Sequence, residues 1–88
     1  CGAVTAACKH VELGNITTLL DKIQPAVSAI GEEMSDAKVE KVAAINVKLS
    51  IERIRQESSI LSDMEKNGEI EIVGAMYDVA SGAVSFYE

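Results

Sequence analysis

The sequence has 88 residues, is 48% hydrophobic and carries a formal net charge of −6. This acidic balance argues against nucleic-acid binding, because no basic stripe is present to neutralise phosphates. No apolar run approaches the ~20 residues that a membrane-spanning helix needs, and the two cysteines are too few for a secreted disulfide scaffold. We therefore expect a soluble, cytoplasmic protein that binds neither nucleic acid nor membrane.

The hydrophobic residues are mostly aliphatic, since the only aromatic ones are Tyr77, Phe86 and Tyr87. A domain of this size buries roughly 60–65% of the surface that its unfolded chain exposes. So much aliphatic surface on a short chain indicates that part of it faces a partner. We expect residues 1–88 to form a single domain that assembles into a homodimer or a higher homo-oligomer.

Three short helical stretches are predicted in the first third of the chain. Residues 2–10 are rich in alanine and predict the first helix, which Gly14 ends. Asn15 is a suitable N-cap for the next helix. Pro25 either interrupts that helix or begins a further one as its first residue, and Gly31 ends it.

A long helix is predicted over residues 36–57, with Ser35 as its N-cap. Asn46 lies on its apolar face, where a buried amide bonded to backbone is the favoured interpretation and a site residue the less favoured one. The residues of that face recur at helical spacing: Val39, Ala43, Asn46, Val47, Ser50, Ile51 and Ile54. The residues expected on the solvated side are Lys41, Lys48, Glu52 and Arg55.

A last helix is predicted after Ser58-Ser59, which permits an N-cap. Asn67-Gly68 should end this helix, because both residues tolerate the left-handed conformation. After it, alternating and then continuous apolar residues predict a terminal β-hairpin, with strands near 70–78 and 83–87.

The first of these strands has the pattern of a buried strand, "IEIVGAM" over residues 70–76. Gly74 within it indicates close approach of a neighbouring backbone. A buried strand pairs on both sides, whereas this sequence supplies one partner, and a lone hairpin is marginal in water. We expect the missing neighbour to come from another chain or from residues outside these 88.

Cys1, Cys8 and His10 are the residues with distinctive chemistry near the start. On one helix Cys1 and Cys8 would be separated by roughly 10 Å of axial rise, which exceeds the reach of a disulfide. A zinc site of Cys1, Cys8 and His10 would have an unusual ligand spacing. Cys8 is most simply a small buried residue. His10 is most simply a surface residue or a residue of the C-terminal turn of the helix, where its charge would suit the dipole.

Two interpretations of Cys1 stay open at this point. Mature bacterial lipoproteins begin with an acylated cysteine, although a flexible polar tether usually follows it rather than a helix. Alternatively, Cys1 is a metal-binding thiolate at a helix start, where the backbone N–H groups stabilise negative charge and Gly2 lets the backbone pass close to an ion. Its partner ligands would then precede the printed residues.

The segment "CGAVTAACKHVELGNITTLLDKIQPAV" resembles the stretch that follows the zinc-binding His-x-x-Cys-Gly motif of β-class carbonic anhydrases. Cys1-Gly2-Ala3 matches the end of that motif, and Asn46-Val47 resembles the start of a later helix of the family. The segment "SSILSDMEKNGEIEIVGAMYDVASGAVSFYE" resembles the family's terminal pattern. The resemblance covers essentially all 88 residues.

This resemblance implies an α/β fold, of which the chain would be the helix-rich C-terminal portion: about four helices followed by a β-hairpin. It implies zinc held by two cysteines and one histidine, with an Asp–Arg pair beside the first cysteine. Only the second cysteine has a counterpart here, Cys1. The first cysteine, the histidine of the His-x-x-Cys motif and the Asp–Arg pair would lie upstream, in a missing N-terminal half.

The activity implied by the resemblance is that of a carbonate dehydratase, a lyase that reversibly hydrates CO2 to bicarbonate, or an enzyme for a related small substrate. With one of three protein ligands present, we expect the isolated chain to be inactive. A non-catalytic dimerising module derived from this fold is the alternative function. A small protein lipidated at Cys1 is the remaining, more distant alternative.

Overall fold

The computed structural model describes residues 1–31 and 36–87. They form two compact units, Cys1–Asn46 and Val47–Glu88, and the expected single domain stays a prediction. The elements in chain order are α1 (Gly2–Cys8), α2 (Asn15–Asp21), α3 (Gln24–Ile30), α4 (Asp36–Glu57), α5 (Ser59–Lys66), β1 (Gly74–Tyr77) and β2 (Val84–Tyr87). The predicted order of helices followed by a terminal hairpin is confirmed, with five helices in the described ranges rather than about four.

The N-terminal unit is built around α1, α2 and α3, which pack against one another. Ala7 and Ala26 are fully buried and lack long side chains, so the helices can approach closely. The Gln24 side-chain amide donates a hydrogen bond to the carbonyl oxygen of Ala7 over 3.0 Å and fixes α3 against α1. The buried apolar residues of this unit are Val4, Ala7, Cys8, Leu20, Ile23, Ala26, Val27 and Val42.

Helix α1 ends at Cys8, two residues earlier than predicted, because His10 adopts a left-handed conformation with φ of 55°. The His10 N–H donates to Ala7 and the Val11 N–H to Ala6, both over 3.1 Å. These two bonds define a Schellman motif, in which the left-handed position is usually glycine. His10 is exposed at the end of α1, as predicted, and it occupies a backbone conformation that disfavours a side chain.

Replacing His10 with glycine is expected to raise the free energy of unfolding by up to about 1 kcal/mol. The left-handed conformation costs a non-glycine residue roughly 1–2 kcal/mol, and the greater freedom of glycine in the unfolded chain offsets part of that gain. Urea unfolding followed by circular dichroism measures the change. Lys9→Gly is the matched control, because Lys9 has φ of −89° and should lose stability; a loss in His10→Gly as well would contradict the interpretation.

Glycine 14 precedes α2 with φ of 52° and occupies the N-cap position. Asn15 is therefore the first residue of the helix, so its prediction as the N-cap is wrong by one position. The Thr17 hydroxyl accepts a hydrogen bond from the Leu13 N–H over 2.9 Å, which satisfies a donor near this helix start. Pro25 lies in the first turn of α3, and Gly31, with φ of 90°, ends it, as predicted.

Helix α4 has the predicted bounds, while Ser35 lies outside the described residues. The four charged residues predicted on its solvated side are exposed, and Asn46 is half-buried. The deepest positions of α4 are Lys38 and Val42, rather than members of the predicted apolar face, which is half-buried or exposed. The difference arises because α4 runs through both units, so no single face is buried along its whole length.

Helix α5 begins and ends as predicted. The Ser58 hydroxyl accepts a hydrogen bond from the Leu61 N–H over 3.2 Å, as an N-cap does. At the other end Asn67 is the C-cap, and Gly68 follows with φ of 77°. The Gly68 N–H donates to Glu65, so α5 ends in the same motif as α1, with glycine at the left-handed position.

Arg55 of α4 and Glu65 of α5 form a two-bond ion pair, with both N–O distances 2.8 Å. The Arg55 guanidinium holds the pKa of Glu65 below its ordinary value, and the Ile72 N–H bond to the same carboxylate acts in the same direction. In the hairpin turn, the Ala80 N–H bond to the Asp78 carboxylate likewise lowers the pKa of Asp78. Both carboxylates are thus stabilised in their charged form.

Stability is expected to fall as the pH drops through the lowered pKa values of Glu65 and Asp78. A carboxyl group whose pKa is lower in the folded than in the unfolded protein stabilises the folded state. This stabilisation is fully present above the ordinary carboxyl pKa of about 4, and it is lost as the pH falls and the folded protein is protonated. Urea midpoints between pH 7 and about pH 3 measure the effect. A Glu65→Gln variant should show a flatter pH profile than the wild type; an identical profile would contradict this role of Glu65.

The hairpin pairs β1 with β2 in antiparallel register, from Gly74 opposite Tyr87 to Tyr77 opposite Val84. Its turn is closed by a 2.8 Å bond from the Asp78 N–H to Ala83, and Gly82 takes φ of 77° there. Gly74 is the buried position of β1 and faces Val47 and Ile51 of α4. The prediction that a neighbouring backbone approaches Gly74 is wrong, because the atoms that approach it belong to side chains.

The prediction of a buried strand over 70–76 is wrong for residues 70–73, which are not in a strand. Glu71 and Val73 are exposed, while Ile70 and Ile72 are half-buried. The physical reason is the lack of a pairing strand beside this segment among the described residues. The Ile72 N–H bonds to the Glu65 carboxylate instead of to a sheet ladder.

Candidate metal ligand and the adjoining cavity

Cys1 lies at the N-cap position of α1 and is exposed. Its carbonyl oxygen accepts two hydrogen bonds from Thr5, one from the backbone N–H and one from the hydroxyl, both 3.0 Å long. Its side chain makes no capping bond. The backbone of Cys1 is thus anchored to the first turn of α1, while its thiol stays available to a ligand.

Cys8 lies at the opposite end of α1 and is 2% exposed, as predicted for a small buried residue. Both cysteines are free thiols. The length of α1 separates them, since seven residues of helix rise by roughly 10 Å. The structure therefore does not bring together Cys1, Cys8 and His10, the set that the sequence offered as an unusual zinc site.

A cavity of about 360 Å³ adjoins Cys8 in the N-terminal unit. The residues that line it are Cys8, Lys9, His10, Val27, Ser28, Gly31 and Lys38. Cys1 is not among them. Lys38 is 2% exposed, and its burial was not predicted from the sequence. Its spacing of four residues from Val42, which is fully buried, was the signal that could have identified it.

Zinc sites in proteins are completed by three or four ligands drawn from cysteine, histidine and carboxylates. Within residues 1–31 and 36–87, no group of three such side chains could hold a metal ion. Cys1 fits the chemistry of a single zinc ligand, because it is a free and exposed cysteine. The described residues by themselves do not fit a complete zinc centre.

A family model described as carbonic anhydrase matches residues 1–84 of the 88-residue chain. The chain belongs to the β-class carbonic anhydrase family. Members of this family generally depend on zinc. No curated protein and no solved structure matches the chain significantly.

The family match agrees with the architecture, since five helices followed by an antiparallel hairpin are consistent with part of a carbonic-anhydrase-like α/β fold. The matched residues include Cys1, which by sequence resemblance corresponds to the second zinc-binding cysteine of the family. Among the helices of the described ranges, none combines the length and the apolar character needed to cross a bilayer.

Proposed function

We propose that this chain contributes to a zinc-dependent carbonic anhydrase, in which Cys1 is one of the zinc ligands. The observation that carries the proposal is the exposed, uncapped thiol of Cys1 at the start of α1, at the first position of the family match. Zinc held there would supply Lewis-acid activation of a water molecule for the hydration of CO2.

The residues of this chain would position the metal rather than perform the reaction alone. The two Thr5 bonds to the carbonyl oxygen of Cys1 hold the backbone that would carry the ligand. The other ligands, a histidine and a second cysteine, would come from residues outside these 88.

Stopped-flow measurement of CO2 hydration tests the activity. The 88-residue chain with added zinc should hydrate CO2 no faster than the metal blank, because one thiolate does not complete a three-ligand site. A joined polypeptide supplies the missing ligands. It consists of the N-terminal half of a known β-class carbonic anhydrase, up to the residue before its second zinc-binding cysteine, followed by residues 1–88. This joined polypeptide should show zinc-dependent hydration of CO2.

Two variants of the joined polypeptide test whether its hydration activity depends on Cys1. Cys1→Ser should abolish hydration, whereas Cys8→Ala, which changes a buried thiol away from the metal, should retain it. Retention of full activity in Cys1→Ser would contradict the proposal, as would turnover well above the metal blank by the 88-residue chain alone.

A non-catalytic dimerising module is the second candidate function. Tyr77, Val84 and Phe86 are 59%, 52% and 69% exposed on the hairpin, which is an unusual amount of apolar surface for two short strands. Whichever of the two functions holds, we propose that the protein is a homo-oligomer and that it is located in the cytoplasm. Light scattering at micromolar concentration measures the assembly, and a stable monomer would count against the module.

A further inference from the structure

The end of α5 carries an Asn67-Gly68 dipeptide, and Asn67 is exposed. Asparagine followed by glycine is the dipeptide most open to deamidation, because glycine has no Cβ to hinder attack by its own backbone nitrogen. The other two asparagines of the chain, Asn15 and Asn46, precede the β-branched residues Ile16 and Val47. Chemistry therefore singles out Asn67 among the asparagines.

The reaction needs no protein catalyst. Hydroxide removes the proton of the Gly68 backbone nitrogen, which then attacks Cγ of Asn67. The side-chain nitrogen takes a proton from water, its bond to Cγ breaks and it leaves as ammonia; a succinimide ring and regenerated hydroxide remain. Water then opens the ring at either carbonyl and leaves aspartate or isoaspartate at position 67.

The fold opposes attack by the Gly68 nitrogen and closure of the ring. The nitrogen that must attack is held by a 3.1 Å hydrogen bond from the Gly68 N–H to the carbonyl of Glu65. Asn67 has ψ of −2°. Ring closure requires a large rotation about the Cα–C bond of Asn67, because the Gly68 nitrogen must come within reach of Cγ. That rotation would also break the 2.9 Å bond from the Glu69 N–H to Met64.

We propose that Asn67-Gly68 is a gated deamidation site, protected while the last turn of α5 is closed and reactive when that turn opens. Local opening of a helix end is far more frequent than global unfolding, so the rate of modification reports this opening. The product adds a negative charge at the C-terminal end of α5, where the helix dipole disfavours it. Each modification thus weakens the turn that had prevented it.

The test is peptide mapping by mass spectrometry of the 88-residue chain, incubated at mildly alkaline pH with and without urea. Deamidation at Asn67 should be at least about tenfold slower in the folded chain, since only the open fraction reacts. Glu69→Pro, which removes the N–H bonded to Met64 and keeps the Asn-Gly pair, should react faster than the folded wild type. Glu69→Gln, which retains that N–H, is its matched control and should react at the wild-type rate.

Asn15 and Asn46 serve as internal references and should stay unmodified over the same period. Equal rates at Asn67 with and without urea would overturn the proposal, because the turn would then give no protection. Absence of deamidation in urea would overturn it as well. So would a Glu69→Pro variant, still helical by circular dichroism, that reacts no faster than Glu69→Gln.

Discussion

Replacing Leu20 with alanine is expected to lower the free energy of unfolding by about 2–5 kcal/mol, the range found for buried leucines. Leu20 is 2% exposed and is among the largest fully buried side chains of the described residues. The core that α2 shares with α1 and α3 also contains Ala7 and Ala26, which have no long side chain to fill a cavity. The variant therefore loses the burial of its own methyl groups and gains a cavity.

Leu19→Ala is the matched control for this prediction, because it makes the same change one residue earlier on α2. Leu19 is 53% exposed, so its replacement should cost far less. Urea unfolding of both variants, followed by far-ultraviolet circular dichroism, gives the comparison. Equal losses for the two variants would mean that the core of the N-terminal unit does not lie where the structure has it.

Gly74→Val is expected to destabilise the C-terminal unit by about 1–3 kcal/mol through overpacking. A Cβ built on Gly74 lies 2.5 Å from Cγ1 of Val47 and 2.9 Å from Cδ1 of Ile51. The Ile51 atom is the far end of a flexible side chain, but Val47 is β-branched and helical, so one χ1 rotamer is strongly preferred. Relief of the clash therefore requires α4 or β1 to move.

Truncation of the clashing side chain should rescue this variant. Val47→Ala removes the atom nearest to the new Cβ, so the double variant should be more stable than the sum of the two single changes predicts. Gly2→Ala is the control for loss of a glycine, since a Cβ there meets nothing within 4 Å and alanine favours the helix. Additive losses in the double variant, measured by urea unfolding, would show that Val47 does not oppose position 74.

Local backbone chemistry made much of this fold predictable from sequence. Pro25, Gly31, Ser58 and the Asn67-Gly68 pair act within one helical turn, so their residue types alone fix where helices begin and end. The hairpin followed from the alternation of its residues. The early end of α1 was missed because its left-handed position is held by His10, a residue type that seldom signals a helix stop.

Features that depend on distant parts of the chain were harder to predict. The apolar face of α4 was assigned by assuming that one stripe is buried along the helix, whereas Lys38 and Val42 are its deepest positions. Residues 70–73 have a strand-like composition but lie outside any strand. Of the candidate site, sequence placed Cys1 at a helix start and Cys8 in the core, since burial and helix position follow from local pattern. The cavity lined by Lys38 depends on how α1, α3 and α4 meet, which local pattern does not specify.

The most direct measurement of the central claim is the absorption spectrum of the joined polypeptide with Co²⁺ in place of zinc. A thiolate bound to Co²⁺ gives a sulfur-to-metal charge-transfer band in the near ultraviolet, so the spectrum reports cysteine ligation itself. If Cys1 is a zinc ligand, the band should weaken in Cys1→Ser, which removes one of two thiolate ligands, and stay unchanged in Cys8→Ala. A band that is unchanged in Cys1→Ser, or that weakens only in Cys8→Ala, would contradict the assignment of Cys1 to the metal.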